Sequence, residues 1–177
     1  MRKLTTEELV GRRQSAPKFT PDKEIYLVLD NIRSMHNVGA IFRTADGAGI
    51  TRLFLCGITA TPPRKEIEKT ALGTTEHVKW QYTNNTLDIV MRLKSQGAYI
   101  IGLEQTDESI LFDDFVYPSP TAIILGNEIT GIDKNVLTMC DRTVEIPMRG
   151  IANSLNVATA AGIIAYQATR PNSIGSR

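Results

Sequence analysis

The chain has 177 residues, 42% hydrophobic and 22% charged, with a formal net charge of +1. That size and mixture suit one soluble domain with a full core. The near-zero charge excludes a global basic field, so a nucleic-acid partner has to be met by a local patch or a dimer face. Cys56 and Cys140 stand far apart without metal-ligand spacing, which predicts a reduced, cytoplasmic protein with neither disulfide nor metal. The N-terminus lacks the apolar core of a signal peptide, and no apolar run is long enough to cross a membrane.

Residues 1–24 read as an arm distinct from the domain that follows, 25–177. Thr5 and Glu8 have the spacing of a capping box, predicting a short helix over Glu7 to Arg13. Pro17, Pro21 and scattered lysines follow, among them Lys18. Two readings stay open: a solvated arm, or a weakly basic one touching RNA or a partner subunit.

From Ile25 the pattern changes. IYLVLD, Ile25 to Asp30, is a continuous apolar run with β-branched residues, as expected of a strand covered on both faces. A polar loop leads to a helical pattern from Val38 to Gly49, with Val38, Ile41, Phe42 and Ala45 as its apolar stripe. Arg43 points away from the stripe, about 200° round from Ile41 at 100° per residue. Gly39 and Gly47 share its side, leaving room for a close backbone or ligand.

Further strands are predicted at Arg52 to Gly57, Val78 to Tyr82, Ala98 to Glu104, Thr121 to Gly126 and Thr143 to Met148. Helices are predicted over Arg64 to Leu72, after a Thr86 cap as far as Gly97, after an Asp133 cap through Met139, and from Val157 onward. Thr106 to Pro120 reads as irregular, and Asn153 or Ser154 as the cap of the last helix. About six strands alternating with helices argue for an α/β domain with a mainly parallel sheet.

The usual nucleotide cradles are missing: there is no GxGxxG after the first strand, no GxxxxGK[ST] and no GxSxG elbow. Only His36 and His77 occur, neither near a ligand set. Chemistry therefore falls to Arg, Glu, Asn and Ser. Three loops leave strand ends that share one edge of a parallel sheet, the usual ligand crevice. They carry Asn37, Arg43, Glu128, Ser154 and Asn156. Each has a plain alternative: Arg43 pairing with Asp46, Glu128 as a turn residue, and Ser154 as a helix cap.

Three segments resemble, in order, the three sequence motifs of the SpoU/TrmH branch of the SPOUT RNA methyltransferases. These are NIRSMHNVGAIFRTADGAGI, ILGNEITGID and EIPMRGIANSLNVATAAGIIAYQ, with KTALG at Lys69 to Gly73 as a weaker match. The resemblance implies an α/β domain whose C-terminal chain threads a deep trefoil knot, a rare exception to unthreaded topology. It implies S-adenosylmethionine bound at Gly126, Ile146 and Leu155, with Leu103 and Ser154 nearby. It further implies a homodimer with the active site across the subunit interface. Ala158, Ala161, Gly162 and Ala165 would then let a partner helix approach.

The implied reaction is methyl transfer to an RNA ribose 2′-hydroxyl, with Arg43 central. A guanidinium is a poor base, so Arg43 is expected to clamp a phosphate and stabilise the developing alkoxide. Asn37 and Asn156 are expected to orient the ribose or the arginine. Glu128 is expected to position the catalytic loops or pair with Arg43. Transfer RNA is the favoured substrate over ribosomal RNA. A non-catalytic RNA-binding protein and a base methyltransferase remain the competing readings.

Overall fold

The structure is a computed structural model describing residues 1–15 and 22–171. The Pro17, Lys18 and Pro21 portion of the arm lies outside the described residues. The capping box is formed: Glu8 N donates to Thr5 Oγ1 at 3.2 Å and Thr5 N to Glu8 Oε2 at 2.8 Å, starting α1, Thr6–Ser15.

The strands are β1 (Ile25–Asp30), β2 (Arg52–Cys56), β3 (Trp80–Thr83), β4 (Tyr99–Leu103), β5 (Ile110–Leu111), β6 (Thr121–Leu125) and β7 (Arg142–Glu145). The helices between and after them are α2 (Met35–Ala48), α3 (Lys65–Ala71), α4 (Thr86–Ser95), α5 (Lys134–Leu137) and α6 (Val157–Ala168). All strands pair in parallel, in the order β3-β2-β1-β6-β4-β7-β5. The expected α/β class is borne out.

Parallel pairing explains the unbroken apolar runs, because helices cover both faces and alternation is lost. On one face α2, α3 and α6 pack over Leu27, Leu29, Leu53, Leu55 and Ile123; on the other α4 and α5 cover Val28, Phe54, Ile100 and Ile124. Gly39 is needed where α2 meets α3: a Cβ there would stand 2.2 Å from the Ile67 carbonyl oxygen. The open side expected at Gly39 is thus filled within the chain.

Several local expectations shift. α2 starts at Met35, because Ser34 caps it by accepting from Asn37 N. Asn85, not Thr86, caps α4, accepting from Leu87 N at 2.9 Å; the Thr86 hydroxyl instead donates to the buried Asp30. Asn156, not Asn153 or Ser154, caps α6. The stretch expected to be irregular contains β5, which gains its backbone partners from β7. Ala161 and Ala165 are buried within this chain, whereas a Cβ on Gly162 would meet nothing within 4 Å. Among the described residues no helix is long and apolar enough to cross a membrane.

Candidate active site

Four strands that neighbour one another in the sheet, β1, β6, β4 and β7, end at the same edge. The chain runs outward from β1 to β3 on one side and continues on the other, so a crevice opens at this carboxyl edge. There the loops after β4, β6 and β7 enclose a cavity of about 440 Å³, within the range of small-molecule sites. Leu103, Gly126, Ile146, Ser154 and Leu155 all line it, together with Glu128 and Asn156.

The wall formed by the β6–α5 loop is closely tied. Asn127 and Gly131 exchange backbone hydrogen bonds at 3.0 Å, and the Asn127 side chain accepts from Ile129 N and Thr130 N. Its amide also donates to the Asn31 carbonyl at 2.7 Å, tying the end of β6 to that of β1. A Cβ on Gly126 would lie 2.3 Å from the Gly131 carbonyl carbon, so only glycine lets the loop fold back on itself there.

Glu128 reaches across to the head of α2. Its carboxylate accepts from Arg33 N (3.0 Å), Ser34 N (3.1 Å) and Asn37 Nδ2 (3.0 Å). Partial burial pushes the carboxyl upward, but the hydrogen bonds from Arg33, its own backbone, Asn37 and Ser34 outweigh it and hold the pKa below the ordinary value. Asn156 Nδ2 donates to Asn37 Oδ1 at 3.1 Å, while Asn156 Oδ1 caps α6. Two cavity-lining side chains therefore clamp the helix that carries Arg43.

Asn37 and Arg43 do not line the cavity. Arg43 lies nearly two turns beyond Asn37 on the exposed side of α2. Among the described residues it makes no ion pair with Asp46 or with Glu128.

Three residues with clear work were missed from the sequence. Glu104 lines the cavity and accepts from Ile132 N at 3.0 Å, and Gln105 donates to the Asn153 carbonyl at 2.7 Å, linking the β4 and β7 loops. Their position at the end of a strand ending on the predicted edge was the available signal. Asp30, 1% exposed, accepts from the Thr86 hydroxyl, Asn31 Nδ2 and Asp133 N. No sequence signal marked those distant partners. Among the described residues no group of three or more His, Cys, Asp or Glu is placed to hold a metal.

Residues 24–166 match the model of the SpoU rRNA Methylase family. The chain belongs to this family. It is 33% identical over 149 residues to a tRNA (guanosine(18)-2′-O)-methyltransferase of Aquifex aeolicus, covering 84% of this chain and 70% of that one. Identity to a 23S rRNA (guanosine-2′-O-)-methyltransferase of Pseudomonas putida is 29%, over 97% of this chain and 66% of the relative. The AdoMet-bound rRNA methyltransferase structure from Sinorhizobium meliloti superposes with a TM-score of 0.78 at 29% identity; 85% of this chain matches 57% of that one.

For a SpoU-family member the cavity fits S-adenosylmethionine. Leu103, Ile146 and Leu155 offer apolar surface for an adenine ring, Ser154 a hydroxyl, and Gly126 a backbone that no side chain covers.

Proposed function

We propose that this chain methylates a ribose 2′-hydroxyl of transfer RNA, with S-adenosylmethionine held in the carboxyl-edge cavity, and that it works as a cytoplasmic homodimer. Family membership and the methyltransferases it resembles support S-adenosylmethionine-dependent methylation of an RNA ribose. The observation that carries the site is convergence: Leu103, Gly126, and Ile146 with Ser154 and Leu155, from three segments far apart in sequence, line one cavity. Transfer RNA is favoured by the 33% identity to the tRNA enzyme. Ribosomal RNA is the second reading, favoured by the 29% identity to the 23S rRNA enzyme.

When bound, S-adenosylmethionine supplies the methyl group as a sulfonium. The protein's part is to hold the ribose oxygen in line and favour loss of its proton. Arg43, exposed and without an ion pair among the described residues, has its guanidinium donors available for a phosphate and for the oxygen as negative charge develops. A guanidinium stays protonated in proteins, so Arg43 does not serve as an ordinary base. Glu128 acts as a positioning residue, because its carboxylate is committed to the head of α2. Asn37 and Asn156 hold each other and fix that helix against the cavity.

A single chain leaves Arg43 outside the cavity lining. In the proposal a second copy completes the site by bringing its own Arg43 to the cavity. In the proposal the stretch from Val144 to Gln167 closes the knot, with Ile146 to Leu155 wrapping the cofactor.

Arg43→Ala is expected to reduce methyl transfer by at least about a hundredfold while cofactor affinity stays within a few-fold. Retained turnover in the variant ends the assignment. Labelled S-adenosylmethionine with total RNA, followed by mapping of the labelled nucleotide, distinguishes the substrates. Label in transfer RNA is expected; label confined to ribosomal RNA selects the second reading.

A further inference from the structure

A second polar cavity, of about 340 Å³, lies at the opposite, amino-terminal edge of the sheet. Its floor is built by register. Arg52 pairs with Tyr26 and Phe54 with Gln81, and two-residue alternation turns Arg52 and Phe54 to the α4 face. The C-terminal half of α4 forms the wall with Arg92, and Lys79 stands just before β3.

Arg52, Lys79 and Arg92 thus bring three positive charges to one cavity. Among the described residues none of them has an ion pair. Asp88 stands one helical turn before Arg92 and is not its partner. Arg92 faces the sheet instead: its guanidinium lies 6.0 Å from the Phe54 ring centroid and donates to Gln81 Oε1 at 3.1 Å. Held in this way, its remaining donors are presented with little further loss of freedom. Glu24, which accepts the Tyr26 hydroxyl at 2.7 Å, is the adjacent negative charge and leaves the local balance positive.

In a chain of net charge +1, this is a concentrated basic site rather than part of a general field. Two planar arginine forks and a lysine point charge suit phosphate oxygens. Five-residue strands at ~3.3 Å per residue put this edge about 17 Å from the cofactor edge, so one folded RNA can reach both.

We propose that this cavity is a second RNA contact, taking backbone phosphates of the substrate away from the point of methyl transfer. The inference rests on the reading of the chain as an RNA methyltransferase.

The test measures binding of unfractionated transfer RNA to the full chain by anisotropy across a salt series, with calorimetric titration of S-adenosylmethionine in parallel. The variants are Lys79→Glu, at an exposed position, and the double change Arg52→Gln with Lys79→Gln. The double variant is expected to bind RNA about tenfold more weakly near 0.1 M salt, with the log–log salt slope reduced by about two. Cofactor affinity and Tm should match the wild type. Wild-type RNA affinity and salt slope in both variants overturn this inference alone. A wild-type protein that binds cofactor but no RNA overturns it together with the functional reading.

Discussion

The two loops that face each other across the carboxyl-edge cavity are built differently. The β6–α5 loop is locked by its own backbone bridge, by Asn127, and by Glu104 and Asp30 accepting from Ile132 N and Asp133 N. The β7–α6 loop, Ile146 to Leu155, runs largely exposed, with Ile151 fully so, and is tied to the β4 loop by the Gln105–Asn153 contact. One wall is preformed. The other has few internal partners, as expected of a segment that orders against a ligand or a second subunit.

The sharpest way to break this contrast is Gly126→Ala. Added bulk 2.3 Å from backbone cannot be absorbed by a side-chain shift, so about 3 kcal/mol of stability should be lost. Cofactor affinity should fall at least about tenfold with it. Wild-type melting and titration curves would show that the wall yields. Asp30→Ala should also destabilise by about 3 kcal/mol, because the buried Thr86 hydroxyl and the Asp133 amide lose their acceptor. Denaturant titration checks it.

Hydrogen exchange compares the walls directly. Amides of Asn127 and Gly131 should be protected in the free protein, while those from Arg149 to Asn153 should exchange rapidly and slow on adding S-adenosylmethionine. Equal protection of both loops in the free protein would remove the distinction.

The smallest effect is a pH dependence. The Glu128 pKa is depressed in the folded protein, so its contribution is fully present above the ordinary carboxylate range, near 4.3. It is lost as pH falls through the lower folded value. Wild-type stability should therefore drop on acidification in that window by about 1 kcal/mol more than that of Glu128→Gln, discounted for its exposure. Parallel curves would mean that the three hydrogen bonds do not distinguish the charged form.

Much of this was legible in the chain. The apolar runs at Ile25 to Asp30 and Thr121 to Leu125 announced covered parallel strands, since a strand buried on both faces needs no polar alternation. The cavity lining followed from the strand-end rule and the family resemblance together. Local sequence was less reliable at caps: Thr86 and Ser154 looked suitable, but Asn85 and Asn156 hold the required backbone positions. A cap depends on where the helix dihedrals begin, and packing sets that point within a residue or two.

By itself, then, the sequence determined the layer architecture, the loops that meet at one edge and the chemistry available there. These depend on residue type and short spacing. Tertiary structure alone decided that Glu128 grips the head of α2, that Asp30 ties β1 to Thr86 and Asp133, and that three cations share the far edge. Those contacts join residues 13 to 103 positions apart. Local preference carries no information about such pairs until the sheet's register brings them together.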